Sequence, residues 1–254
     1  MKLDKVIKKA IIVFTNTGEN LLSLLYPNIC PFCGRVLVTE NKGRICERCQ
    51  FRLPYIYEPR CKKCGQPLEK ETQEYCWDCE HHKHYYEKGV AVWGHHPDVS
   101  HAIYQFKYHN RRIYSRFFAK EMVKSYEFYF YQWNIDVIVP IPISRKRRRE
   151  RGYNQTELLA KEIGKLTRIP VETKGLIRIK ETRAQKVLNV RERRKNLKDA
   201  FRWTGDGNML DERNILLVDD IYTTGSTIDE AARILKKSGA KNVYFMTISI
   251  GQGY

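Results

Sequence analysis

Apolar positions along the chain fall into two regimes. From Val90 onward, runs of strand length alternate with stretches of helical period, whereas residues 28 to 80 show no long periodic segment. "GVAVWGHH" reads as a strand, "SHAIYQFKY" and "SRFFAKEMVKSYEFYF" as helices, and "DVIVPIPI" as a short buried strand that meets a loop at its prolines. "NQTELLAKEIGKL" is amphipathic, "NILLVDD" a buried strand, "STIDEAARILKKSGA" a helix stopped at Gly239, and "KNVYFMTISI" a further strand. This alternation predicts an α/β domain with a largely parallel sheet over residues 86–254. Residues 1–27 read as a helical segment whose apolar end, "LLSLLYP", is stopped by Pro27. Between the two lies a module of residues 28–85, whose end runs into the linker-like "HHKHYYEKG" of residues 81–89.

The middle module is too small to bury a core and has to be stapled. All eight cysteines lie in it, as the C-x-x-C pairs Cys30/Cys33, Cys46/Cys49, Cys61/Cys64 and Cys76/Cys79. Two residues between thiolates let one tight turn offer both sulfurs to a tetrahedral Zn2+, and four such pairs make two closed sites. Sequential pairing groups Cys30, Cys33, Cys46 and Cys49, then Cys61, Cys64, Cys76 and Cys79; interleaved pairing is the alternative. A redox dithiol explains one such pair, not four evenly spaced ones. His81, His82 and His84 read as solvated linker, because four thiolates complete each site. Closed thiolate sites are structural, so the module is a folding staple or a nucleic-acid contact helped by Arg35, Lys42, Arg44, Arg48, Arg60, Lys62 and Lys63.

Charge narrows the partners. The chain has 46 Lys and Arg against 29 Asp and Glu, a formal net charge of +17. Two Zn2+ held by eight thiolates take four off that surplus. The excess still favours anionic partners: phosphates, nucleic acid or a membrane surface. The N-terminal apolar run from Ala10 to Phe14 is too short for a signal core or a membrane span, which predicts a cytoplasmic protein with reduced thiols.

The most informative stretch is "LLVDDIYTTGST", Leu216 to Thr227. Two adjacent carboxylates, Asp219 and Asp220, follow a buried strand, and burying like charges together is costly unless something offsets it. The loop after them joins the strand to a helix starting near Ser226, whose first backbone N–H groups and dipole favour an anion. Gly225 permits close approach, and Thr223, Thr224, Ser226 and Thr227 add hydroxyl donors. One ligand meets both demands: a ribose 5-phosphate, with its phosphate in the loop and its 2- and 3-hydroxyls on the aspartates. A Walker A loop is excluded because no G-K-[ST] follows.

This stretch resembles the signature of the type I phosphoribosyltransferases, which implies phosphoribosyl pyrophosphate (PRPP) bound with Mg2+. "VPIPISRKRRRERGYNQTELLAK" and "RIKETRAQKVLNVRERRKNLKDAF" are similar to the ComF family (ComFC or GntX-like), through Arg151 to Gln155, Gln185, Leu188, Ala200 and Phe201. The resemblance covers about residues 20 to 250. It implies a double zinc ribbon preceding a type I phosphoribosyltransferase-like parallel sheet with flanking helices. It also implies that Arg178 to Lys198 forms a mobile hood, closing over a ligand or tracking a nucleic-acid backbone.

Arg145, Lys146, Arg147, Arg148, Arg149 and Arg151 form a loop after "VPIPIS", more cations than solubility requires. Displacement at a ribose C1 passes through an oxocarbenium-like state, so the chemistry asks for leaving-group stabilisation by Arg151 and its neighbours and for ribose fixation by Asp219 and Asp220; no separate nucleophile is required. Arg145, Lys146, Arg147, Arg148, Arg149, Arg191, Arg193 and Arg194 are the candidate nucleic-acid contacts. The resemblance implies a competence protein that binds single-stranded DNA and PRPP in natural transformation, with a DNA-uptake helicase or channel as partner. A phosphoribosyltransferase of nucleobase salvage is the alternative. A nucleic-acid adaptor that has lost the chemistry is a third, disfavoured by the intact acidic pair.

Overall fold

The computed structural model describes residues 29–37, 45–180, 196–206 and 209–251. The N-terminal segment, Lys42, Arg44, Gln185, Leu188, Arg191, Arg193, Arg194 and most of the expected hood lie outside the described residues. The chain divides into two compact units, Met1–Arg52 and Leu53–Tyr254.

The first unit holds the first four cysteines. A tight turn carries Cys30 and Cys33, with Gly34 at φ 71° closing it, and a single helical turn, α1 (Glu47–Gln50), carries Cys49. Ile29 and Val36 pair across that turn as an antiparallel bridge.

The second unit begins with the same device. Cys61 and Cys64 sit on a turn closed by Gly65 at φ 76°, bridged between Arg60 and Pro67, and α2 (Trp77–His81) follows Cys76. A Cβ at position 65 would come within 2.7 Å of the Gly89 carbonyl oxygen, so only glycine fits there. Then come β1 (Gly89–Gly94), α3 (Pro97–Tyr108), α4 (Tyr114–Gln132), β2 (Val137–Pro140), α5 (Arg145–Arg151), α6 (Gln155–Thr167), β3 (Leu176–Arg178), β4 (Phe201–Trp203), β5 (Asn214–Tyr222), α7 (Ser226–Lys237) and β6 (Asn242–Ile250).

The four long apolar runs form one parallel sheet of order β1-β6-β5-β2; β3 and β4 form a small antiparallel pair beside it. Continuous apolar strands suit a parallel sheet covered on both faces. Strand alternation sorts β5 between the two faces. Ile215 and Leu217 share a buried cluster with Val243 and Phe245 of β6, with Ile228, Ala231, Ala232 and Leu235 of α7, and with Cys61, Cys64 and Cys76. The second cysteine group is thus part of the core under the sheet, at 2% exposure for Cys61 and 1% for Cys64. Among the described residues no helix is long and apolar enough to cross a membrane.

Two local expectations change. The basic run after "VPIPIS" is a helix, α5, not a loop. Arginine and lysine are good helix formers; Ser144 caps the start by accepting from the Arg147 N–H, and Gly152 at φ 76° ends it. "HHKHYYEKG" is not a solvated linker either, because Tyr86 is fully buried and the His84 side chain is only 3% exposed.

Candidate functional site

The eight sulfurs gather sequentially: Cys30, Cys33, Cys46 and Cys49 in one group, Cys61, Cys64, Cys76 and Cys79 in the other, every Sγ within 4.8 Å of the rest of its group. Cys33 and Cys46 sulfurs lie 3.5 Å apart, Cys64 and Cys76 sulfurs 3.7 Å. A tetrahedral Zn2+ with Zn–S bonds of about 2.3 Å spaces its sulfurs by ~3.8 Å, so both groups fit the ion without rearrangement.

His84 belongs to neither group. Its ring lies between two carboxylates, 3.2 Å from Asp78 of α2 and 3.5 Å from Asp229 of α7, and stacks on Tyr86 at 4.9 Å. The Tyr86 hydroxyl in turn lies 3.9 Å from the Cys79 sulfur and 2.8 Å from the Tyr222 hydroxyl at the end of β5. Burial lowers the basicity of His84, but Asp229 and Asp78 outweigh it and hold its pKa at about 9. A histidine raised this way stabilises the fold fully below its ordinary value near 6.5 and loses that contribution as pH rises through about 9. Denaturant unfolding of the wild type is expected to show stability falling by a few kcal/mol between pH 6 and 10. His84→Gln flattens that window; an unchanged slope in the variant would disprove the ion pair.

The candidate ligand site is a cleft of about 370 Å3 where β5 gives way to α7. Contrary to the sequence expectation, the aspartates do not end the strand: β5 keeps pairing with β6 through Ile221 and Tyr222, and the loop begins at Thr223. Asp219 and Asp220 both line the cleft. Asp220 is 5% exposed and fully engaged: Lys107 Nζ donates to one oxygen at 2.7 Å and Gln155 Nε2 to the other at 2.6 Å. Asp219 Oδ1 accepts from the Asp220 N–H at 2.8 Å, while burial and then the Asp220 charge push the Asp219 carboxyl up to about 8.

Thr223 to Thr227 form the wall beyond. Gly225 sits at φ 69° as the cap of α7, and a Cβ there would reach within 2.4 Å of the Tyr222 hydroxyl. Thr224 and Ser226 are buried and their hydroxyls are 2.9 Å apart. The first-turn N–H groups of α7 have no acceptor within the helix, and Ser226, Thr227 and Ile228 line the cleft.

On the other side α5 splits the basic run by helical phase. Arg147 and Arg151, one turn apart, line the cleft, while Arg145, Lys146, Arg148 and Arg149 face solvent. Arg151 donates to Gln155 Oε1 at 2.8 Å and to the Tyr108 hydroxyl at 2.9 Å, and its Nε is buried without an acceptor among the described residues. Arg178 also lines the cleft. Sequence reasoning missed Lys107 and Tyr108. Lys107 ends an amphipathic helix and reads as solvated, while its carboxylate partner is 113 positions away.

Comparison with known proteins agrees with this layout. The family description "Double zinc ribbon domain" matches residues 21–80, and "Phosphoribosyl transferase domain" matches residues 109–249. The chain is 30% identical over 205 residues to "Competence protein F" of Haemophilus influenzae, covering 80% of this chain and 88% of that one. It is 30% identical to "DNA utilization protein YhgH" of Escherichia coli O157:H7 (87% and 96% covered) and 27% identical to "Competence protein ComFC" of Streptococcus pneumoniae (85% and 91% covered). With the ribbon and transferase matches in this order, and relatives of that identity along most of its length, the chain belongs to the ComF family of double zinc ribbon and phosphoribosyltransferase-domain proteins.

Proposed function

We propose that this protein binds PRPP with Mg2+ in the β5–α7 cleft and single-stranded DNA on the adjoining basic surface, acting in DNA uptake. The observation that carries this reading is the Asp220 carboxylate, clamped by Lys107 and Gln155 beside an amide-lined, hydroxyl-rich loop in one cleft. The loop from Thr223 to Thr227 suits a 5-phosphate, and the two carboxylates suit ribose hydroxyls. Lys107, Arg147 and Arg151 suit the pyrophosphate, the buried Nε of Arg151 having no acceptor among the described residues and being free to donate to an anion. Mg2+ takes oxygen ligands and keeps substrate phosphates among them, so it fits a cleft lined by the Asp219 and Asp220 carboxylates. When bound, the ion neutralises charge on the pyrophosphate. Arg151 and Lys107 add to that neutralisation, and the aspartates hold the ribose for displacement at C1.

The DNA half rests on the outward cations of α5, on the formal net charge of +17, and on relatives named for competence and DNA utilization. The test has two arms on the full chain. Titration of PRPP with Mg2+ should give a saturable heat, and a labelled single-stranded oligonucleotide should bind with an affinity that falls steeply with salt. A silent titration ends the ligand reading, and absence of oligonucleotide binding at low salt ends the DNA reading. Replacing Arg145, Lys146, Arg148 and Arg149 by alanine should reduce the logarithmic salt slope by up to about 3, at roughly 0.7 per lost phosphate contact. An unchanged slope would place the DNA elsewhere. Pyrophosphate release from PRPP, assayed with a panel of bases, separates a transferase of nucleobase salvage from a binder.

A further inference from the structure

The outer face of α3 carries an exposed aromatic pair of which only Tyr108 borders the sugar-phosphate cleft. Tyr104 and Tyr108, one turn apart, are 48% and 54% exposed, with ring centroids 4.9 Å apart, and His109 adds a third ring 5.4 Å from Tyr104. Leaving two large rings in water on one helix face gives up burial that aromatic side chains normally gain. One cation flanks the pair directly and a second sits on a separate, buried ring. The Arg151 guanidinium lies over the Tyr108 ring at 4.6 Å, and Arg112 lies over Tyr153 at 4.7 Å, next to Gly152 at the end of α5. From His101 to Arg116 the sequence has no acidic residue and has Lys107, Arg111, Arg112 and Arg116. Tyr108 itself lines the cleft mouth. Exposed rings interleaved with positive charge bind unpaired strands: cations track the phosphates, and every base has a π-face to stack.

We propose that Tyr104 and Tyr108 form a ledge on which unpaired bases of a single-stranded nucleic acid stack at the entrance to the cleft. This rests on the DNA reading above and adds to it the place where bases, rather than phosphates, are held. The ledge is sequence-tolerant, and a strand held there lies beside the sugar-phosphate site.

The test uses the full chain, a labelled oligo-dT, and an oligomer of the same length and charge made of abasic units. Tyr104 is the residue to change, since it lies outside the cleft lining. Tyr104→Ala should weaken oligo-dT binding about tenfold, in line with the loss of one stacked base, while the salt slope stays unchanged. Tyr104→Phe, which keeps the ring, should bind as the wild type does. The abasic oligomer should bind wild type and Tyr104→Ala equally. Equal oligo-dT affinity for Tyr104→Ala and wild type, or equal wild-type affinity for the abasic and dT oligomers, overturns the ledge and leaves the DNA reading standing. Wild type that binds neither oligomer overturns both. An unchanged melting temperature and an unchanged PRPP heat for Tyr104→Ala exclude loss of fold as the cause of weaker binding.

Discussion

Changing Asp219 and Asp220 together to alanine is expected to lower PRPP affinity at least about 100-fold, and Asp220→Asn alone should account for most of that loss. Hydrogen bonds to a charged acceptor contribute roughly 1.5–3 kcal/mol each, and a ribose offers two hydroxyls. Asp220 also anchors Lys107, whose ammonium is 2.7 Å away, so the asparagine loosens the ion pair that positions that cation on the cleft wall. Calorimetric titration is the measurement, with oligonucleotide binding as the control that should change little and circular dichroism at the titration temperature as the check that the variants are folded. The pH dependence has a defined sign. Burial and the neighbouring Asp220 keep the Asp219 carboxyl protonated up to about pH 8, so a cation arriving with the ligand has to displace that proton. Affinity should therefore rise with pH toward 8 and level above it, with proton release visible as a buffer-dependent heat at pH 7. Ligand heat that is the same with and without the carboxylates, in folded variants, removes the cleft as the PRPP site.

The second large effect concerns the metal beneath the sheet. Cys76→Ser should leave one Zn2+ per chain and abolish the cooperative melting of the second unit. Structural zinc contributes on the order of 10–16 kcal/mol of folding free energy, against roughly 5–15 kcal/mol for the net stability of a domain. Cys61, Cys64 and Cys76 share their buried cluster with Leu217, Phe245 and Leu235, so loss of the ion opens the packing under β5. Zinc content by elemental analysis and unfolding by circular dichroism check this. A variant with one zinc that melts within about 2 °C of the wild type would show that the second site is dispensable to the core.

What the sequence disclosed followed from short-range chemistry. The apolar runs of β1, β2, β5 and β6 declare themselves because a parallel strand is buried on both faces, and the cysteine pairs because two-residue spacing has few other uses. The turn from Thr223 to Thr227 is legible for the same reason: its glycine, hydroxyls and following helix are contiguous. Features that depend on distant partners were not legible. Lys107 looks solvated until Asp220 is brought to it, and His84 looks like linker until Asp78 and Asp229 close around it. The helix α5 was hidden differently. Its cations carry no apolar period, so only Ser144 at one end and Gly152 at the other mark it, and helical phase then decides which arginines enter the cleft.

The hydroxyl contact between Tyr86 and Tyr222 has a practical consequence for anyone cutting this protein into pieces. One ring abuts the Cys79 sulfur and the other abuts Gly225 at the start of α7, so the two are neighbours through a single pair of side chains. A fragment trimmed to begin at the first strand would keep every residue of the cleft yet lose the plug on which Tyr222 rests. Chimaeras and minimal versions should therefore carry the stretch from Leu53 onward as an inseparable foundation.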